Sequence, residues 1–204
     1  MTFENLEHFR PEFVYCLTGY RMSHRAQNDF VLPINNRHST GCAASLQSNR
    51  ISYFFDLRGP SITVDTACSS SLVALHYAVQ SLRSGESKEA LVAGCRLSLV
   101  PDIWVSMSMS QLFNDEGKIF PFDERATSGF ARGEGSGVVI RKLLDAALRD
   151  KDPVRAVIVH SGVNQDGRTQ GITTKNTRLD MQPFEHNVTF SSVDLTNVGK
   201  FKPQ

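Results

Sequence analysis

The first organised part of the hydrophobic pattern begins near Gly41. Ala43, Leu46, Ile51 and Phe54–Phe55 recur at helical spacing and stop before "DLRGP", where Gly and Pro indicate a turn. The residues that follow, "SITVD", read as a short strand. This part of the chain therefore predicts a helix, a turn and a strand in succession.

A second helix is predicted directly after Cys68. Four apolar side chains recur there at helical spacing: Leu72, Leu75, Val79 and Leu82. The segment "RSGES" ends the pattern, with Gly85 as a C-cap residue. Cys68 thus lies between a strand and a helix.

The remaining pattern alternates between strands and helices. A continuous apolar run predicts a buried strand in "EALVAGCRLSLV". "GSGVVIRKL" is predicted as a strand, "PVRAVIVHSGVNQDG" as a strand that runs into a loop, and "EFVYCLTGY" near the start as a strand and turn. Helical segments lie between them, in "PDIWVSMSMSQLF", where Pro101 begins the helix, and in "LLDAALRDKD". This alternation predicts an α/β architecture.

Composition excludes several classes of function. The chain has 204 residues, 40% of them hydrophobic, and a net charge of +1, which is typical of a globular domain. So small a charge gives no broad basic surface for nucleic acid or anionic membrane. No apolar run is long enough to span a membrane, and the first 15 residues lack the core of a secretory signal. We expect a cytoplasmic protein with no nucleic-acid or membrane partner.

The four cysteines do not form a metal or disulfide framework. Cys16, Cys42, Cys68 and Cys95 lie far apart, without a C-x-x-C pair or a histidine at zinc-ligand spacing. We expect no structural metal and, in an intracellular chain of this size, no disulfides. We therefore expect the N-glycosylation sequon at Asn187 to remain unmodified.

A strand-to-helix junction gives Cys68 two interpretations. A sharp junction presents its side chain outward, with the backbone N–H and the helix N-terminus facing an anion formed there. An ordinary thiol, with a pKa of about 8.5, is only partly ionised at neutral pH. The helix dipole adds about 0.3–1 kcal/mol, so strong activation needs a cationic or histidine neighbour. The alternative is an inert buried cysteine, which is common.

A longer string around this cysteine favours the nucleophile. The stretch "SNRISYFFDLRGPSITVDTACSSSLVALHYAVQSLRSGES" resembles the active-site region of β-ketoacyl synthases, above all the ketosynthase domains of fungal highly reducing polyketide synthases. Three further motifs of that family follow in order: "ALVAGCRLSLVPD", "FPFDERATSGFARGEGSGVVIRKLLDAALRD" and "VRAVIVHSGVNQDGRTQGIT". The resemblance divides the chain into a divergent segment (1–35), a partial ketosynthase domain (36–175) and an unrelated or deletion-joined tail (176–204).

The resemblance implies a fold and a reaction. The fold would be part of the thiolase-like αβαβα architecture, one of its two α/β halves, and loss of the other half would expose a large apolar face. Cys68 would accept an acyl chain from a carrier-protein thioester, and its backbone N–H would be one oxyanion donor. A malonyl thioester would then supply the attacking carbanion. The phosphopantetheine arm of an acyl carrier protein would deliver both substrates, and the protein would bind no cofactor itself.

Two histidines of the family are missing from the sequence. The strings "EAHGTGT" and "KSNxGH", which contain them, do not occur, and neither does the Gly-rich "GFGGTN" turn that supplies a second oxyanion donor. After Cys68 only His76, His160 and His186 remain, and we interpret each as a core-edge or surface residue. We therefore expect a truncated ketosynthase that loads acyl groups and does not complete condensation. The alternative is a non-catalytic remnant or a partner-dependent binding subunit, acting as a homodimer or with a complementing ketosynthase half.

Other polar groups have structural interpretations. The glycines of "GFARGEGSG" lack nucleotide-loop spacing and predict tight turns before a strand. The charged residues of this region predict a structural ion network: Asp123, Arg125, Arg132 and Glu134. Ser69, Ser70 and Ser71 are expected to satisfy free N–H groups at the start of the helix.

Overall fold

The computed structural model describes residues 13–17, 41, 43–98, 101–120, 123–125, 129–165 and 167–168. The strands in these residues are β1 (Phe13–Leu17), β2 (Ser61–Val64), β3 (Glu89–Arg96) and β4 (Gly135–Lys142). The α-helices are α1 (Ser45–Phe54), α2 (Ser70–Ser84), α3 (Asp102–Met109) and α4 (Leu144–Arg149), and a 3₁₀ turn (Ala67–Ser69) precedes α2. In the described part of the chain, no helix is both long and apolar enough to cross a membrane.

The strands form one sheet in the order β2-β1-β3-β4. β1 runs parallel to both of its neighbours, whereas β4 runs antiparallel to β3, with Glu89 opposite Lys142 and Arg96 opposite Gly135. The carboxyl ends of the three parallel strands and the beginning of β4 therefore lie at one edge of the sheet. We call this the carboxyl edge, and the opposite one the amino edge.

Helix α2 covers one face of the sheet. Its apolar stripe of Ala74, Leu75, Ala78 and Leu82 packs in one cluster with β3, whose contribution is Ala90 and Val92. Two alanines in the stripe have no exposed surface, which lets the helix approach the strand closely. Gly85 ends the helix in the left-handed conformation, as its position after the stripe predicts.

Helix α1 contributes to the opposite face. Side chains alternate across a strand, so Leu91 and Ala93 of β3 point away from α2. They form a second cluster with Leu57, and Ile51 of α1 packs against it. Because both faces of β3 are covered, its sequence reads as a continuous apolar run, as expected for a buried strand. The predicted helices and strands up to residue 149 are confirmed.

The strand predicted for "PVRAVIVHSGVNQDG" is wrong. Residues 152–165 have no regular secondary structure, although Ile158 packs against the α2 cluster. A strand needs a ladder partner, and here the segment bonds to α2 instead: Arg83 Nη2 donates to the Val159 carbonyl at 2.7 Å. His76 Nδ1 and Ser161 Oγ, 3.1 Å apart, form a second link. Apolar side chains alone did not distinguish a strand from a segment packed on a helix.

Strand β4 is apolar but open. Val138, Val139 and Ile140 are 40–59% exposed, and Leu72 and Tyr77 of α2 are 37% and 50% exposed. Val138 and Ile140 lie opposite Ala93 and Leu91, on the side of the sheet away from α2, whereas Val139 lies opposite Val92, on the α2 side. Both faces of β4 therefore carry exposed apolar side chains.

Candidate active site

A strained turn presents Cys68 at the carboxyl edge. Ala67, the residue before it, has φ +56°, a left-handed conformation that non-glycine residues rarely adopt. Asp65 Oδ1 accepts the Ala67 N–H at 3.1 Å and holds the turn. Such strain persists only where surrounding structure enforces it, and it is concentrated at functional sites. The predicted junction is confirmed, with a 3₁₀ turn between strand β2 and helix α2.

Two serines form hydrogen bonds with the strained turn around Cys68, which we call the elbow (residues 65–70). Ser70 is fully buried, and its Oγ accepts the Thr66 N–H and donates to the Ala67 carbonyl, both at 2.7 Å. Ser69 Oγ donates to the Thr66 carbonyl at 2.9 Å. The expectation that the serines bond free N–H groups of the helix needs correction, because Ser69, at the N-cap, makes no side-chain cap bond. Their hydroxyls bond the preceding turn, at Thr66 and Ala67.

The thiol itself is accessible. Cys68 is an exposed free cysteine, whereas Cys95, on β3, is half-buried. The interpretation of Cys68 as a buried cysteine is therefore wrong, since its side chain is exposed. No group of three or more metal-ligating side chains is found among the described residues.

Arg132 is a cationic neighbour of the elbow. Its Nη1 contacts Met107 Sδ, and its guanidinium lies 6.0 Å from the ring centroid of Trp104. Burial lowers the pKa of Arg132, the charge of Arg96 lowers it further, and interaction with Cys68 raises it. The last effect means that a Cys68 thiolate and the guanidinium attract each other.

A close backbone contact positions the loop that carries Arg132. Gly129 has φ +65°, and a Cβ there would lie 2.3 Å from the Phe113 carbonyl carbon. No side chain fits, so glycine lets Phe130 pair with Phe113 in a parallel bridge. Gly129 thus agrees with the tight turn that the sequence predicts before β4, and it also allows a close backbone approach that the sequence did not predict.

Arg96 and Ser98 carry buried donors without partners at the same edge. Nε and Nη2 of Arg96 and Oγ of Ser98 are buried and bond to nothing among the described residues. Glu134 lies beside this cluster, where its carboxylate accepts the backbone N–H of Ser98. Buried polar groups are nearly always paired, so this cluster requires an explanation.

The predicted four-residue ion network does not form. Asp123 and Arg125 pair with each other at 2.8 Å, and this hydrogen bond lowers the pKa of Asp123. Arg132 and Glu134 instead face the elbow and the end of β3. The four residues are close in sequence, but Gly129, with a positive φ, turns the chain between the pair Asp123–Arg125 and the pair Arg132–Glu134.

The described histidines are not catalytic partners of Cys68. His76 is half-buried and bonds Ser161, and His160 is exposed. Their interpretation as core-edge and surface residues agrees with these positions. His186 lies outside the described residues.

A cavity of about 410 Å³ lies beside the elbow, between α2 and the β3–β4 pair. Its lining is mostly apolar: Leu72, Leu75, Val92, Gly94, Gly137 and Val139. Arg96 lines it towards the carboxyl edge and Arg141 towards the amino edge. This shape suits an apolar chain better than a polar ligand.

Comparisons with known proteins decide the family. The sequence model of the Beta-ketoacyl synthase, N-terminal domain, matches residues 5–147. The chain belongs to the β-ketoacyl synthase family. It is 68% identical over 161 residues to Highly-reducing polyketide synthase 1 of Aureobasidium melanogenum, and 58% identical over 135 residues to Highly reducing polyketide synthase cm3B of Cordyceps militaris. These matches cover 79% and 66% of the chain, but only 7% and 5% of the relatives.

Solved ketosynthases share its fold. The ketosynthase from module 6 of the bacillaene synthase of Bacillus subtilis superposes with a TM-score of 0.72 and 35% identity, over 85% of this chain and 29% of that one. The oxazolomycin ketosynthase domain OzmH KS7 of Streptomyces albus gives 0.70 and 31%, over 81% and 29%. The expected α/β, thiolase-like fold is confirmed, and the chain spans less than a third of these ketosynthases.

Sequence reasoning missed the positive groups at the carboxyl edge. The sequence predicts a structural network for Arg132 and gives no role to Arg96 or Ser98. One signal is present in the sequence: an arginine at the end of a buried apolar strand is costly to bury without a partner.

Proposed function

We propose that this chain is the acyl-loading part of a polyketide ketosynthase and that Cys68 is its acyl acceptor. One observation carries the proposal: in a chain of this family, the structure holds an exposed cysteine on a strained turn between β2 and α2. A cysteine in an ordinary helical or strand conformation would need no such strain.

The loading step is a thioester exchange. The Cys68 thiolate attacks the carbonyl carbon of an acyl thioester on the phosphopantetheine arm of a carrier protein. The carbon–sulfur bond to the arm breaks, and the arm leaves as a thiolate that takes up a proton. The Cys68 backbone N–H stabilises the oxyanion in between. The product is itself a thioester, so the acyl group stays activated.

The 204-residue polypeptide by itself loads and does not condense. Condensation requires decarboxylation of a malonyl thioester, for which the family uses two histidines in motifs that this sequence lacks. Exposed apolar residues on β4 and α2 support a complementing ketosynthase half or a second copy as the partner that covers them. We place the reaction in the cytoplasm, in polyketide biosynthesis.

Intact-mass analysis tests the acyl acceptor. The chain is incubated with a short acyl thioester of N-acetylcysteamine, which mimics the end of the arm. We expect one acyl adduct, lost in Cys68→Ala and kept in Cys95→Ala. The second variant is a matched control, because Cys95 is also a free thiol on the same domain.

Two results would contradict the proposal. One is an adduct that survives Cys68→Ala. The other is no adduct on a chain that melts cooperatively, because the elbow would then be folded and inert. A chain without an adduct and without a cooperative melt would favour the remnant interpretation over the enzyme.

A further inference from the structure

One hydroxyl group connects two peptide planes in the strained part of the elbow. Ser70, which carries it, has no exposed surface. Its Oγ accepts the N–H of Thr66 and donates to the carbonyl of Ala67, each at 2.7 Å. The only hydrogen of the hydroxyl is therefore used within the elbow. Because the two peptide groups lie on either side of Thr66 and Ala67, these bonds restrict rotation of the backbone at both residues.

The bond to the Ala67 carbonyl also fixes the direction of an N–H group. The peptide between Ala67 and Cys68 is trans. In a trans peptide the C=O and the N–H that follows it lie in one plane and point in opposite directions. A carbonyl held towards the buried Ser70 hydroxyl therefore directs the N–H of Cys68 away from the interior.

The N–H of Cys68 takes no part in the hydrogen bonds that hold the elbow. Cys68 is the second residue of the 3₁₀ turn, and the first N–H groups of a helix have no intrahelical acceptor. The elbow uses instead the N–H of Ala67, which Asp65 Oδ1 accepts, and the hydroxyls of Ser69 and Ser70. The Cys68 N–H is thus available to a negative charge that forms beside the thiol.

The buried hydroxyl is the strongest side-chain restraint on Ala67. A residue with a Cβ resists φ +56°, so this conformation needs support. The bond from the Ala67 N–H to Asp65 is longer, at 3.1 Å, and is exposed to water. A hydrogen bond away from water is electrostatically stronger than an exposed one. The N–H of Ser70 also bonds the Ala67 carbonyl, but only the hydroxyl links that carbonyl to Thr66.

We propose that Ser70 is a positioning residue for acyl loading: its hydroxyl holds Ala67 in the left-handed conformation and thereby aims the Cys68 N–H at the oxyanion of the tetrahedral intermediate. The inference rests on the proposed function, because that oxyanion forms only when Cys68 attacks a thioester. Ser70 acts through the backbone and not on the substrate. An oxyanion donor is effective only at about 2.7–3.1 Å from the charge, so a small rotation of the peptide removes much of its effect.

Two reactions of the same thiol separate this role from a general loss of structure. Transfer of an acyl group from an N-acetylcysteamine thioester passes through an oxyanion, whereas alkylation by iodoacetamide displaces iodide and forms none. Mass spectrometry of the Cys68 peptide from the 204-residue chain gives both rates, and we compare their quotient, loading divided by alkylation. The quotient cancels differences in thiol exposure and ionisation, because both reagents meet the same thiolate.

Ser70→Ala should lower this quotient by roughly tenfold. The expected effect is smaller than the loss of about 10²–10³ from deleting an oxyanion donor, because the N–H of Ser70 still bonds the Ala67 carbonyl. Ser48→Ala is the matched control. The Ser48 hydroxyl is equally buried, but it bonds the Ser45 carbonyl and Thr63 Oγ1, outside the elbow. Ser48→Ala should therefore reduce stability and leave the quotient unchanged.

Glycine at position 67 provides the decisive variant. Because glycine adopts a positive φ without support, Ala67→Gly should restore most of the loading that Ser70→Ala loses, although the hydroxyl is still absent. A quotient for Ser70→Ala equal to that of the wild type would overturn the positioning role, and so would a loss that glycine does not restore. Failure of the proposed function is distinct, since the wild-type chain itself would then form no acyl adduct on Cys68.

Discussion

The two ends of the β3–β4 pair carry positive charge in opposite ways. At the amino edge, Lys142 Nζ lies 2.9 Å from Glu89, 2.6 Å from Asp150 and 2.9 Å from Asp152. At the carboxyl edge, Arg96 Nε and Nη2 are buried without a partner, and neither Arg96 nor Arg132 forms a salt bridge within the described residues. The same two strands thus have a lysine paired with three carboxylates at one end and unpaired donor atoms at the other.

This difference indicates that Lys142 has a structural role that Arg96 does not have. Lys142 joins the start of β3 to both ends of the turn after α4, so its pairing is a structural requirement. Burial lowers the pKa of Lys142, but hydrogen bonds to Asp150, Glu89 and Asp152 outweigh burial and raise it. Arg96 has no such role and keeps its donors free. Arg141 Nε, also unpaired, lines the cavity under α2 rather than the amino-edge cluster.

The largest expected effect comes from removing the satisfied cation. Lys142→Met should destabilise the fold by about 1–3 kcal/mol, because hydrogen bonds to charged groups are lost and Glu89, 18% exposed, keeps an uncompensated charge. Chemical denaturation measures this. Lys118→Met, at an exposed surface pair, is the control and should change stability by less than about 0.5 kcal/mol.

The pH dependence of the same cluster sharpens the comparison. Hydrogen bonds from Lys142, and then from Arg149, lower the pKa of Asp150 below its ordinary 3.8. A lowered carboxyl pKa contributes stability that is present above 3.8 and is lost as the pH falls through the lower, folded value. The stability difference between wild type and Lys142→Met should therefore stay constant from about pH 8 to 5 and shrink below 3.8. A difference that shrinks near neutral pH would contradict this assignment.

The unpaired cation should respond in the opposite direction. Arg96→Met removes a buried charge without a partner, so we expect no loss of stability and a gain of up to about 1 kcal/mol. The measurement is again denaturation of both variants side by side. If Arg96→Met costs as much as Lys142→Met, Arg96 has a structural partner and the contrast between the two ends disappears.

The smallest effect concerns strain in the elbow. Ala67→Gly allows φ +56° without steric conflict, but a glycine also gives the unfolded chain more freedom. The two contributions oppose each other, so the net change in stability should remain within about 1 kcal/mol. Serine, which cannot relieve the strain, is the matched substitution and should be less stable than glycine at this position.

Local pattern predicted most of the fold because burial determines which positions of an element are apolar: one stripe on a helix, and nearly every position of a strand that is covered on both faces. The stripe on α2, the apolar run of β3 and Gly85 are all decided by residues close in sequence. The strand prediction for residues 152–165 was wrong because this segment bonds Arg83 and His76, which lie about 80 residues earlier. A hydrogen bond to a distant helix produces no periodic pattern of apolar residues in the sequence.

The site was predicted only as far as the motif extends. The strand–Cys–helix pattern predicted the exposed position of Cys68, and the resemblance to ketosynthases implied its role as acyl acceptor. The convergence of Arg96 and Arg132 depends on the antiparallel register of β4 with β3, which no local spacing encodes. Long-range register is the part of the structure that single-sequence reasoning does not supply.

The fate of an acyl group on Cys68 is the most direct test of the account. The 204-residue chain is first loaded with an acyl thioester and then mixed with a malonyl thioester, and the adduct is followed by intact mass. We predict that the acyl adduct on Cys68 forms and persists, with no β-ketoacyl product. Loss of the adduct together with a product two carbons longer would show that the chain condenses unaided, and would contradict the account.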